Sequence, residues 1–252
     1  MFKQTNPRPA GDVADVVSAY RCLAPQADAP HKPLIPSVAS RKITLRSKSS
    51  LRGSFVLPVE RRVITLESQI EKDGALDIST RHDVLRLEEQ PVAIRVIDRD
   101  GRPTRITFDF LVFLTDGRRI LVTVKNEARA RKYDIAGFLR HIAPQIPEHI
   151  ADGVMLYTER SISPAMKSNA RLIHAVRRDP PDPADQAVLD LLPHIKGAFR
   201  IGDLVAATTL GAAAFRAIVR LIARRVILLT VDERIGYRSL VTVASNTMEA
   251  AR

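Results

Sequence analysis

Asp109 lies inside the apolar run Ile106-Thr-Phe-Asp-Phe-Leu-Val-Phe-Leu114, and Lys125 closes a second one, Arg119-Ile-Leu-Val-Thr-Val-Lys125. Burying charge in a sheet costs several kcal/mol unless the groups are paired or hold a metal. Oxygen ligands for a hard divalent cation, with an ammonium beside them to steady a water or a developing negative charge, are what metal-dependent phosphodiester hydrolysis requires. A strand-end salt bridge explains the same two residues equally well.

Strand geometry decides whether the two can meet. Side chains alternate faces along a strand, and the turn Thr115-Asp-Gly117 separates the two runs. Asp109 shares its face with Thr107, Leu111 and Phe113; Lys125 shares its face with Thr123 and Leu121, while Ile120, Val122 and Val124 point the other way. A hairpin therefore brings Asp109, Thr123 and Lys125 to one surface. Upstream, Leu66 to Ile78 has the helical repeat, with Ser68 or Thr65 as its N-terminal cap. Glu67 and Glu71 both lie on the stripe of Ala75 and Ile78 and so lean toward the core. Solvated helix-face charges are the plainer account of those two glutamates.

At these residues the chain resembles the PD-(D/E)xK nucleases, in which a helix glutamate, a strand aspartate and a lysine on the next strand form the core. In detail it is similar to the TnsA branch, the endonuclease subunit of heteromeric cut-and-paste transposases. The matching text is Glu67-Ser-Gln-Ile-Glu-Lys-Asp73, His82-Asp-Val-Leu-Arg-Leu-Glu-Glu-Gln-Pro91, Ile106-Thr-Phe-Asp-Phe-Leu-Val112, Asp116-Gly117 and Val122-Thr-Val-Lys125, followed by Tyr157-Thr-Glu159 and Asn169. The resemblance covers about Gly53 to Leu172. It implies a restriction-endonuclease-like α/β fold and makes Glu71, in the Ser-x-x-Glu position, the catalytic glutamate instead of Glu67. It further implies Glu71, Asp109 and Lys125 as catalytic residues, with Mg²⁺ or Mn²⁺ held by Glu71, Asp109 and the Val124 carbonyl. One position departs from the family. Two residues before the lysine, where an acid or Gln usually reaches the metal, stands Thr123, whose neutral hydroxyl is a weak ligand for a hard dication. Glu127, on the same strand parity as Lys125, is a candidate replacement.

Composition agrees with a polyanionic partner: 39 Lys+Arg stand against 28 Asp+Glu, a formal charge of +11 with a pI of about 10.3. Such a balance favours phosphate backbones and makes binding salt-sensitive. Arg216, Arg220, Arg224 and Arg225 interrupt the longest apolar stretch, so no transmembrane helix is expected. The start, Met1-Phe-Lys3, leads into polar residues and shows no secretory signal, and the single cysteine, Cys22, fits a reducing cytoplasm. We expect a cytoplasmic protein, associated with the nucleoid when assembled on DNA.

Punctuation divides the chain. Residues 1–40 are proline-rich, with one short helical stretch at Val13 to Leu23, and read as a flexible arm. Arg41, Lys42, Arg46, Lys48 and Arg52 follow, either tracking DNA or simply solvated. Residues 41–176 are the nuclease candidate, with strands near Ser54–Val59, Val92–Ile97, Arg105–Leu114, Arg119–Lys125 and Val154–Thr158. A helix from Ile135 to Ile142 makes Arg140 and Lys132 available to phosphate. Asp179-Pro-Pro-Asp-Pro183 breaks the chain, and 177–184 reads as a linker. In 185–252, helices at Ala187–Ile195, Ile201–Thr208 and Ala212–Arg224 precede a hairpin of Val226–Val231 and Tyr237–Val243, the order of a winged helix-turn-helix. Its third helix exposes Arg216 and Arg220, with Arg224 at its end, as backbone-contacting arginines. Arginines near a helix C-terminus are also favoured by the macrodipole, and in the resembled family this domain contacts the regulatory ATPase, so DNA and protein partners both stay open.

Other chemistries lack support. The histidines His31, His82, His141, His149, His174 and His194 form no close pair, there is no phosphate-binding Gly-rich loop ending in Gly-Lys, and Trp is absent with aromatics at 5%. The expectation is a metal-dependent DNA endonuclease subunit that cuts one strand of double-stranded DNA at transposon ends. The resemblance implies a DDE-type transposase and an AAA+ ATPase as its partners. Two alternatives remain, a stand-alone restriction or repair nuclease and a non-catalytic DNA-binding or scaffolding subunit.

Overall fold

Two apolar runs over 110–124, parted by a Thr-Asp-Gly turn, and the helical repeat over 69–80 set the main elements, and their partners decide the layers. The computed structural model describes residues 33–40, 53–58, 60–179 and 182–244. The expectations placed on Val13–Leu23, Cys22, His31 and the cations Arg41, Lys42, Arg46, Lys48 and Arg52 lie outside the described residues. The architecture is mixed α/β, and the chain divides into two compact units after His174.

In the first unit, strands β3 (Val84–Glu89), β6 (Phe110–Leu114), β7 (Arg119–Val124) and β8 (Gly153–Tyr157) form a four-stranded sheet in the order β3-β6-β7-β8. β6 pairs antiparallel with β7, register Phe110↔Val122, through a turn in which Gly117 has φ of 89°, a left-handed conformation that only glycine adopts cheaply. β8 runs parallel to β7, so the connection must cross over the sheet; it carries helices α2 (Glu127–Lys132) and α3 (Ile135–Ile142). On one face, Phe110, Val112, Val122, Val124 and Tyr157 pack with Ala75 and Ile78 of helix α1 (Gln69–Thr80) and with Leu57, Ile64 and Leu66 of the hairpin β1 (Gly53–Leu57)–β2 (Arg62–Leu66). On the other, Leu121 and Phe108 pack with Leu139 and Ile142 of α3 and with Ile94 and Val96 of the hairpin β4 (Ile94–Ile97)–β5 (Pro103–Ile106). Both faces of the sheet are thus covered, which explains why its strands carry apolar residues in both parities.

Three expectations for this unit need correction. The run expected as one strand, Arg105–Leu114, is two: β5 belongs to the small hairpin and β6 to the main sheet, and Thr107–Asp109 carry the chain between them. Asp109 therefore sits at the start of β6 and not in mid-strand. Thr65 and Leu66 end β2, leaving Ser68 as the cap of α1. The last residues of the expected arm, Pro33 to Ser40, belong to the fold: Ile35 bridges to Arg62, and Ser40 N–H donates to the Gln90 carbonyl (3.0 Å). The buried Glu89 fixes them, accepting from Ser37 Oγ (2.5 Å) and Val38 N–H (3.2 Å) while paired with buried Arg62 (2.6 Å). β2, β3, α2 and α4 (Pro164–Val176) were not expected as elements.

In the second unit, α5 (Pro183–Leu191), α6 (Ile201–Thr208) and α7 (Ala212–Ala223) pack around Val188, Leu192, Ile201, Leu204, Ile218 and Leu221. A three-stranded antiparallel sheet, β10 (Ile227–Leu229), β11 (Leu240–Val243) and β9 (Phe199–Arg200) in that order, completes it. α6, α7 and the β10–β11 pairing match the expected segments. The first helix begins four residues earlier than expected because Asp182 caps it, accepting from Ala184 N–H (2.9 Å), and Pro183 occupies the first helical position, where a missing N–H loses nothing. The Asp-Pro that read as a break is a helix start.

Candidate active site

The C-terminal end of β7 and the start of β6 lie side by side, and Asp109 is held there by its backbone and its side chain. Its N–H donates to the Val122 carbonyl (2.9 Å), its carbonyl accepts from Gln90 N–H (2.8 Å), and its Oδ2 accepts from Val124 N–H (2.6 Å). Gln90 reaches that position with φ of 44°, a strained conformation for a side-chain-bearing residue, and is itself buried. Asp109 Oδ2 also accepts from Lys125 Nζ (3.2 Å), and the same ammonium donates to the Val124 carbonyl (2.8 Å). Both side chains are partly open to solvent, 33% for Lys125 and 21% for Asp109, so the pair is neither core nor free surface.

Glu71 comes to this place from the other element. Ser68 and Glu71 form a reciprocal cap at the start of α1: Ser68 Oγ accepts from Glu71 N–H (3.2 Å) and donates to Glu71 Oε1 (2.8 Å), and Glu71 Oε2 accepts from Glu67 N–H (2.8 Å). Burial pushes the Glu71 carboxyl above the ordinary range, the nearby negative charges of Asp109 and Glu67 push it further, and the Glu67 amide and Ser68 hydroxyl oppose them. The helix cap thus fixes where Glu71 points, and the Asp109 charge is close enough to be felt there.

Glu71, Asp109, Lys125 and the Val124 carbonyl are brought to one neighbourhood. Thr123, partnered with Leu156 across β7–β8, adds no charge. The candidate replacement acid does not serve. β7 ends at Val124, Glu127 opens α2, and its carboxylate bonds Arg131 (2.6 Å), which holds it below the usual carboxylate range. Downstream, Glu159 accepts from Glu127 N–H (2.9 Å) and so anchors the start of α2. Asn169 is buried on α4, and the buried Tyr157 hydroxyl lies beside the buried Asp77 carboxyl.

Among the described residues no three His, Cys, Asp or Glu side chains gather to enclose a metal ion. Mg²⁺ does not require such a cage: it keeps several waters and is held by one or two carboxylates plus substrate phosphates. The donors here are hard oxygens, and two of them, Asp109 Oδ2 and the Val124 carbonyl, already grip a single cationic atom, the Lys125 ammonium. The residues present therefore fit a weakly held Mg²⁺ or Mn²⁺.

The cations expected to meet DNA divide by unit. Lys132 and Arg140 are exposed in the first unit, Lys132 lying over the Tyr133 ring at 5.4 Å. Arg129 and Arg131, in the same basic run just past Lys125, went unremarked although their spacing is plain in the sequence. In the second unit the expected exposed arginines are engaged. Arg220 is only 5% exposed and bonds Asp185 through Nε (2.8 Å) and Nη2 (2.5 Å) and Asp179 through Nη1 (3.2 Å). Arg216 chelates Asp179 (2.7 and 2.6 Å). Arg224 ends α7, its N–H bonded to the Arg220 carbonyl (3.2 Å), and its charge, after burial, helps lower the pKa of Arg177. The helical repeat had placed Arg216 and Arg220 outside the apolar stripe, but Asp179, and Asp185 of α5, engage them there.

No protein-family model matches the chain, and no curated protein matches it in sequence.

Proposed function

We propose that this chain is a metal-dependent DNA endonuclease subunit with a restriction-endonuclease-like first unit and a winged-helix second unit, of the kind found in TnsA-type transposases. The observation that carries the reading is the grip of Asp109 Oδ2 and the Val124 carbonyl on one cation at the edge of the sheet, with the Glu71 carboxyl, fixed by its helix cap, within reach of the Asp109 charge.

Asp109, Glu71 and the Val124 carbonyl would hold Mg²⁺ or Mn²⁺. The ion supplies Lewis-acid stabilisation of charge developing on a phosphoryl oxygen and activation of water. Asp109 is the fixed ligand, because three hydrogen bonds to its backbone and carboxylate prevent it from turning away. Lys125 contributes positive charge where a pentavalent phosphorus would accumulate negative charge. Lys132 and Arg140 supply sequence-independent attraction to the DNA backbone. A DDE-type transposase cutting the other strand and an AAA+ ATPase are the partners this reading carries with it.

The test is strand nicking of DNA bearing candidate element ends, with Mn²⁺, by the full chain together with a DDE-type transposase and an AAA+ ATPase as partners. Asp109→Ala and Lys125→Ala should each lower nicking by at least about a hundredfold with the fold retained. Equal nicking by wild type and variants would end the reading.

Thr123 and the outward pairing of Glu127 favour a second reading, a DNA-binding or scaffolding subunit without cleavage. Normal assembly on DNA with no metal-dependent nicking would select it.

A further inference from the structure

Lys125 occupies the oxygens that a divalent ion needs. Its ammonium is bonded to Asp109 Oδ2 (3.2 Å) and to the Val124 carbonyl (2.8 Å), the two best-placed donors of the site. Two cations on the same lone pairs repel strongly at this separation, so the ammonium must leave when a divalent ion arrives. Thr123 adds no charge with which to outbid it: the Asp109 carboxylate already has the ammonium in place, and both Glu71 oxygens are bonded within the helix cap. The lysine is free to go. Its side chain is one-third exposed, and four rotatable carbons let a compact point charge swing to an arriving anion.

We propose that Lys125 is an internal counter-ion that keeps the site closed to divalent cations until a DNA phosphodiester draws its ammonium away. Metal and phosphate binding are then coupled through this one side chain. The inference rests on the reading of Asp109, Glu71 and the Val124 carbonyl as cation ligands. By reciprocity, whatever factor DNA adds to metal affinity, metal adds to DNA affinity. Because the pair is partly solvated, the factor lies at the lower end of ordinary couplings, about five- to tenfold. The arrangement would favour metal loading on chain already on DNA by that same factor.

The experiment is a Mn²⁺ titration followed by the electron paramagnetic resonance signal of the free ion. It uses the full chain as wild type, Lys125→Met, Lys125→Gln and Asp109→Asn, each alone and with a short duplex of random sequence at low ionic strength. Without DNA, both neutral Lys125 variants should bind Mn²⁺ about five- to tenfold more tightly than wild type. With the Mn²⁺ held by the duplex alone subtracted, the duplex should tighten wild type by a similar factor more than it tightens the two variants, in which only the added phosphate oxygens help. Using two neutral variants keeps the test alive if one of them misfolds. Lys125→Met and Lys125→Gln binding no tighter than wild type, with Asp109→Asn still abolishing binding, would overturn the counter-ion role while leaving the metal site standing. Equal tightening of wild type and variants by DNA would overturn the exchange with phosphate. Asp109→Asn binding Mn²⁺ as well as wild type would remove the underlying reading, and the inference with it.

Discussion

Replacing Arg220 by Met separates a structural arginine from a DNA-reading one. Arg220 and Asp185 are 5% and 4% exposed in their side chains and share two hydrogen bonds, with a third from Arg220 to Asp179. Removing the guanidinium takes two charged hydrogen bonds from a carboxylate that stays buried, which costs up to about 3–5 kcal/mol. Arg216 and Asp179 are 43% and 25% exposed, so solvent screens that pair and Arg216→Met should cost under about 1 kcal/mol. The contrast between the two variants is the measurement. The chain has two units and no Trp, so global fluorescence would blur the result; hydrogen exchange of the α7 amides in the full chain reads the local opening free energy instead. Arg220→Met should speed the slowest α7 amides several hundredfold while Arg216→Met changes them by less than about tenfold. Arg220→Met/Asp185→Leu, which removes both charges, should recover most of the loss. Near-native protection in Arg220→Met together with weakened DNA binding would refute the reasoning and restore Arg220 as a contact residue.

Two further outcomes follow from buried charge. Burial pushes the Asp77 carboxyl up, with Arg81 opposing, so the folded state holds its proton more tightly than the unfolded state does; Asp77 therefore destabilises the first unit increasingly as pH rises above the ordinary carboxylate range. Asp77→Asn should raise the urea midpoint at about pH 7 and leave it unchanged near about pH 3, and a larger gain in acid than at neutrality would contradict this. Glu89→Ala leaves Arg62 buried with Glu60, at 2.8 Å, as its remaining carboxylate partner among the described residues, beside the Leu87 carbonyl, and should cost about 3 kcal/mol. It should also deprotect the Val38 and Ser40 amides, since Glu89 and its neighbour Gln90 hold that segment; exchange there unchanged from wild type would show that Pro33 to Ser40 is anchored by something else.

Periodicity and residue type determined much by themselves. Short β-branched apolar runs marked β7 and β8, the helical repeat marked α3, α6 and α7, Ser-x-x-Glu marked the cap that fixes Glu71, and Asp-Gly marked the β6–β7 turn. These features are local: a face, a cap or a turn is written within a few residues of itself. Which charges meet was not local. Asp179 and Asp185 lie 35 to 41 residues from the arginines they neutralise, and an arginine that follows the apolar stripe looks the same in sequence whether water or an aspartate lies above it. The break at Thr107–Asp109 was hidden for a related reason. β5 and β6 read together as one β-prone run, and only their different partners, β4 for one and β3 with β7 for the other, show that the chain changes sheets there. The Asp109–Lys125 contact was foreseeable from hairpin register. That the lysine would rest on the Val124 carbonyl as well, and so sit on the metal's own oxygens, depends on how the ends of β6 and β7 abut, and tertiary packing alone fixed it.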